Sequence, residues 1–153
     1  KLKAIEHILD LRYTKTIREE QGGSYGVYTK QSNSQFPDET FTLFMVFDSA
    51  PEKQDQLVDI LYEEVEKLYK EGPKENDLMK AKKYFLKKRE QDLQENDFWL
   101  SALKHNHKHN ENLLAEENFQ EIVNALTKED IQQAAEKYLK EADTFEVRLR
   151  PAN

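Results

Sequence analysis

Apolar residues return at every third or fourth position from Leu2 through Ile5, Leu9 and Tyr13 to Ile17. That spacing lines one face of a helix, and it predicts a helix over 1–18. The period then shortens to two. Tyr25, Val27 and Thr29 alternate with Gly26, Tyr28 and Lys30, which predicts a strand over about 24–32. The turn-rich "SNSQFPDE" separates it from "TFTLFMVF", which predicts a second strand over about 40–48. This strand is apolar on both faces, with Phe41, Leu43, Met45 and Phe47 opposed to Phe44 and Val46. Such a strand is expected inside a sheet covered by helices or by another layer.

Helical periodicity resumes after Asp48-Ser49-Ala50-Pro51, a cap-and-proline start. Leu57, Leu61, Val65 and Leu68 stripe a helix over 52–71. Gly72 suits a left-handed end to it, and Pro73 prevents continuation. Further helices are predicted over about 74–95, 96–114 and 119–126. The outline Thr127-Lys-Glu-Asp130 opens a last one, with Ile131, Ala134, Ala135, Tyr138 and Leu139 inward. In "TFEVRLRP", Phe145, Val147 and Leu149 alternate with Glu146, Arg148 and Arg150, which predicts a strand over about 144–150. An isolated strand leaves its backbone groups unsatisfied, so this one is expected to join the early hairpin. The fold class is therefore α+β, an antiparallel sheet covered on one face by long helices, in a single domain over 1–153. The pattern opens inside a helix and without methionine, and three strands are a thin sheet for so many helices. One or two more strands are expected upstream of Lys1, making the domain N-terminally truncated.

Charge narrows the functional classes. Lysine and arginine number 23 against 30 acidic residues, a net charge of -7. General attraction to nucleic acid or to acidic membranes is not expected. No apolar run reaches membrane-spanning length, which fits a soluble protein without fixing its compartment. There is no cysteine, so disulfides and thiolate chemistry are excluded.

Three of the four glycines fall in "TIREEQGGSYGVYTK", at positions 22, 23 and 26. Gly22 and Gly23 can end the first helix and turn the backbone sharply into the strand. A phosphate loop is excluded by order, since phosphate cradles run strand, glycines, helix. A plain C-cap and turn explains the glycines but leaves over Arg18 and Tyr25, seven residues apart across the turn. Brought to one edge of the sheet, they form a donor pair able to hold a carbonyl oxygen or an oxyanion.

Other candidates are weaker. His105 and His109 stand at the i, i+4 spacing of a zinc pair, but His107 points elsewhere and Asn106 occupies the place where H-E-x-x-H needs glutamate. H-x-x-E-H is absent too. A solvated polar face is the better account, and no metal site is assigned. "KAKKYFLKKRE" holds six basic residues between Lys80 and Arg89, but acids flank it and Leu78, Ala81 and Phe85 give it an inward face. Ser101 with His105 lacks an oxyanion loop and an orienting acid.

The turn "REEQGGSYGVY" resembles the signature of the C-terminal half of the pitrilysin/insulin-degrading-enzyme (insulinase) family of zinc metallopeptidases. Arg18, Glu19, Gly22 and Tyr25 fall on that family's arginine, acid, glycine and tyrosine. "FTLFMVFDSAPEK", "KLYKEGPKENDLMKAKK", "NDFWLSAL" and "TFEVRLRPA" are similar to later segments of the same domain, so the likeness runs the length of the chain. It implies a half-domain of a peptidase whose paired halves enclose a chamber for unfolded peptide. Zinc is then bound by H-x-x-E-H in the N-terminal half, with no cofactor in this chain. By the same resemblance Tyr25 donates to the scissile carbonyl oxygen and Arg18 holds the substrate carbonyl or positions Tyr25. The implied partners are the N-terminal catalytic half and extended peptide, in the periplasm or cytoplasm if the source is bacterial. Two alternatives stand beside it: a non-enzymatic chamber or scaffold subunit of the same fold, and an unrelated α+β interaction domain whose glycine turn is only a cap.

Overall fold

Helix α1, Leu2–Tyr13, is the element on which the others pack, because its apolar residues recur around more than one face. Ile5, Ile8, Leu9 and Tyr13 are fully buried, as is Ile17 just beyond. The computed structural model describes residues 1–20, 22, 24, 26–34, 37–109 and 118–149, with the side chains of Glu20 and His109 outside that description. α1 meets the sheet on one side and three helices on the others. Past Tyr13 the helix does not stop but widens into a π-helical stretch, Thr14–Glu20. Gly22 follows with φ +52, the left-handed conformation that glycine adopts without a Cβ penalty.

The sheet is a hairpin of β1, Val27–Ser34, and β2, Thr40–Phe47, antiparallel from the pair Val27 and Phe47 to the pair Ser34 and Thr40. Val27, Leu43, Met45 and Phe47 point toward the core. The opposite face is open: Tyr28 is 57% exposed, Phe44 51% and Val46 60%. The expectation that β2 is covered on both sides therefore fails on one side, and the sheet carries helices on a single face.

After a 3-10 turn, Pro51–Lys53, α2 runs Gln54–Glu71 and α3 runs Glu75–Asp92. Between them Gly72 has φ +77 with ψ -177, a conformation open essentially to glycine alone and different from the left-handed helical form expected. Its ψ suits the following proline, and Pro73 is fully buried. α4 is Asn96–His109, α5 Phe119–Ala125 and α6 Lys128–Leu139. α6 packs on α2, with Ile131, Ala134 and Ala135 buried.

The capping box at α6 is complete. Thr127 Oγ1 accepts from the Asp130 N–H at 3.1 Å, and Asp130 Oδ2 accepts from the Thr127 N–H at 3.0 Å. The Lys1 ammonium first, and then the Thr127 backbone N–H, hold the Asp130 carboxyl down at about 2. A folded-state value below the ordinary one means stabilisation present above about pH 3.8 and lost as pH falls through about 2. Thr127→Ala is expected to destabilise the domain by about 1 kcal/mol at pH 7. Urea midpoints of the two proteins at pH 7 check it, and an unchanged midpoint contradicts the cap.

The third strand is a correction. Residues 142–149 form no regular element, and the sheet among the described residues has two strands only. The tail lies along α2 instead, held by Tyr62 Oη on Glu146 at 3.4 Å and by an Arg148–Asp55 ion pair. The alternation read from sequence is real, but its polar row faces α2. Phe145, Val147 and Leu149 are 91%, 66% and 88% exposed. Alternation fixes which side chains share a face of an extended segment, not whether a neighbouring strand is there to pair with it.

Candidate functional site

Two arginines six residues apart have opposite fates, Arg12 in α1 and Arg18 within the π-helical stretch. Arg12 is consumed by the fold. It is buried where α1, α2 and α3 meet, with Nη1 within 3.5 Å of a Glu64 carboxylate oxygen, Nε 3.4 Å from Asp77 Oδ2, and Nη2 donating to the Gly72 carbonyl at 3.2 Å. Beside it Tyr13 is buried and donates to the Leu61 carbonyl at 3.1 Å; burial, then Glu64, raises its phenol above the ordinary value.

Arg18 is not consumed. It is exposed, and no hydrogen bond or ion pair joins it to another described residue. What brings it out is the wider ring of the π-helix, a form seen mostly as single turns and often at functional sites. The Thr16 hydroxyl donates to the Arg12 carbonyl at 2.9 Å, satisfying an oxygen where the helical hydrogen-bonding changes register. Ile17 is fully buried and pins the stretch from within.

Tyr25 lies outside the described residues, as do Gln21 and Gly23, so the structure does not test whether Arg18 and Tyr25 meet. The residues flanking Tyr25 are described. Ser24 Oγ lies 2.7 Å from both Asp48 Oδ1 and the Gly26 carbonyl, and the Gly26 N–H points to Asp48 Oδ1 at 3.3 Å. No local sequence signal marks Asp48 as a partner of this turn, because it lies 24 residues from Ser24. Only the strand register brings it there: Phe47 pairs with Val27 at the same end of the hairpin.

The remaining candidates find ordinary uses. Lys82 donates to the Asn124 carbonyl at 2.8 Å, Lys88 pairs with Asp92, and the Arg89 guanidinium lies over the rings of Phe98 and Phe119. His105 and His107 are exposed on α4. Among the described residues no group of three or more His, Cys, Asp or Glu side chains is placed to hold a metal ion. No helix among the described residues is long and apolar enough to cross a membrane.

A hairpin sheathed by helices on one face, with an exposed arginine ahead of a glycine turn, makes an α+β domain. The chain belongs to the peptidase M16 inactive domain family, whose sequence pattern matches residues 1–85 of the 153. The resemblance to the insulinase group of zinc peptidases thus holds at the level of family. Three solved structures share the fold. The peptidase M16 inactive domain from Pseudomonas fluorescens superposes with a TM-score of 0.72 at 19% identity, over 90% of this chain and 34% of that one. A protease from Helicobacter pylori gives 0.71 at 17%, over 92% and 35%. The periplasmic protease PqqL from Escherichia coli gives 0.70 at 16%, over 91% and 16%. The chain thus spans between 16% and 35% of the length of these three. No curated protein matches it.

Proposed function

We propose that this domain is the zinc-free half of a zinc metalloendopeptidase. It forms part of the wall of a chamber that holds unfolded peptide, and it supplies Arg18 and Tyr25 to the peptide bond being cleaved. The observation that carries the reading is the contrast between the arginines: within one family-defining segment the fold buries Arg12 and leaves Arg18 exposed. The open apolar face of Tyr28, Phe44 and Val46 adds support, since a contiguous exposed apolar patch marks a surface that meets another chain. Edge strands beside such a face can take an extended peptide by β-addition. In this reading the metal belongs to the partner half and supplies the activated water. This chain's part is to bind and orient the peptide, with the Arg18 guanidinium on a substrate carbonyl and the Tyr25 hydroxyl donating to the scissile carbonyl oxygen as charge develops there.

The reading has a direct test. The purified chain is expected to cleave no unfolded peptide, with or without added Zn²⁺, because it lacks H-x-x-E-H and any described substitute for it. Supplying a zinc-bearing M16 half should produce cleavage that a chelator stops. Chelator-sensitive cleavage that stays with the isolated chain through further purification contradicts the assignment. An assembled pair that binds peptide and zinc yet cleaves nothing favours a scaffold subunit of the same fold.

A further inference from the structure

The outward face of the hairpin sets one charge among its apolar residues. Tyr28 stands opposite Val46, and on the next outward rung Lys30 stands opposite Phe44. All four are exposed, because the intervening Val27, Thr29 and Met45 turn inward. The two outward rungs beyond, Ser32 with Thr42 and Ser34 with Thr40, offer hydroxyls. No hydrogen bond or ion pair joins the Lys30 ammonium to another described residue. Burial raises the Glu6 carboxyl on α1 above its ordinary value, and Lys30 is the least of the influences that pull it down. The ammonium is therefore left to whatever lies on this face.

Charge and spacing together name the occupant. Residues directly opposite across a hairpin have Cβ atoms about 5 Å apart, so one side chain can meet the Phe44 ring and the Lys30 ammonium together. Glutamate fits, with two methylenes for the ring and a carboxylate for the cation. Successive outward positions of a strand are about 7 Å apart, which is also the spacing of side chains i and i+2 in any extended chain. An extended peptide can then place an apolar side chain on the Tyr28–Val46 rung and a glutamate on the Phe44–Lys30 rung at once.

We propose that this face is a subsite for extended peptide that selects the pattern apolar-x-Glu, with the apolar side chain on Tyr28 and Val46 and the carboxylate on Lys30. The proposal rests on the reading above that the domain receives unfolded peptide, and it gives that peptide a preferred chemistry.

Binding is read in the full-length protein, with any bound zinc removed by a chelator so that the peptide stays intact. Three fluorescent peptides of one unfolded sequence carry Leu-Ser-Glu, Leu-Ser-Gln or Leu-Ser-Lys at the centre. Anisotropy should show the glutamate peptide bound about threefold tighter than the glutamine one and about tenfold tighter than the lysine one, the scale of one exposed ion pair. Lys30→Gln should level the three, and Lys30→Glu should reverse their order, with melting temperatures unchanged because Lys30 is exposed. Phe44→Ser should weaken all three about fivefold by removing apolar surface. Equal binding of the three peptides by the unaltered protein overturns the proposal, as does an order that survives Lys30→Glu. Affinities untouched by Phe44→Ser also overturn it. Self-association in sedimentation that Phe44→Ser abolishes makes a second copy the occupant and overturns it too. If the order is as expected but the zinc-loaded protein cleaves none of the peptides, the subsite stands and the peptidase reading fails.

Discussion

Arg12→Ala is expected to destabilise the domain by about 3–5 kcal/mol, the cost of leaving buried charge without its partner. A domain's whole stability is about 5–15 kcal/mol, so a large part of the chain should unfold at 37 °C. Arg12 is 8% exposed, and its guanidinium faces Glu64 on α2, Asp77 on α3 and the Gly72 carbonyl between them. Lys67 Nζ lies 3.5 Å from Glu64 and leaves that acid one partner, whereas Asp77 has none recorded among the described residues. Arg12→Lys should recover only part of the loss, because one ammonium cannot span these three acceptors in the geometry of a guanidinium fork. Replacing Arg12, Glu64 and Asp77 together by Met, Leu and Leu should restore most of it, since no uncompensated charge then remains. Urea midpoints at pH 7 measure all four proteins. A loss below about 1 kcal/mol in Arg12→Ala, the range of an exposed pair, defeats this account.

That junction shows where sequence reading stops. The helices α2, α3 and α6 were legible because each announces itself within a few residues: a stripe through Leu57, Leu61 and Leu68, a glycine and proline at 72 and 73, a capping box at Thr127 and Asp130. Arg12 gave no such sign. It sits on a stripe that predicts a helix equally well with any polar residue there, and its partners lie between 52 and 65 residues away. The tail failed for a related reason. Phe145, Val147 and Leu149 carry strand periodicity, but periodicity is silent about the neighbour whose backbone the strand needs, and the tail found Asp55 and Tyr62 instead.

β2 carries the same lesson in reverse. Its second apolar face was read as a sign of cover, and no described residue covers Phe44 or Val46. At the candidate site the glycine turn and Arg18 were legible as a motif, while the π-helical stretch that presents Arg18 was not. Widening a helix by one residue per hydrogen-bonded ring needs no special residue type, and Thr16 and Ile17 are ordinary helix residues until their contacts are known.

The second large effect concerns the chemistry. In the full-length peptidase Tyr25→Phe removes one O–H donor and leaves the ring. Turnover is expected to fall by about one to three orders of magnitude, about 1.4–4 kcal/mol of barrier. Arg18→Ala should do comparable damage, with more of it in KM if the guanidinium grips the ground-state peptide. Arg18 is exposed and rests on the buried Ile17, so its removal should shift the melting temperature little, unlike the loss of Arg12. That difference separates the two arginines experimentally: one variant folds and turns over poorly, the other folds poorly. Zinc content should stay unchanged in both Tyr25→Phe and Arg18→Ala, because no described residue of this chain is placed to hold the metal. If Tyr25→Phe keeps full turnover on several unrelated peptides, the tyrosine is structural. The glycines of the turn then do no more than end a helix.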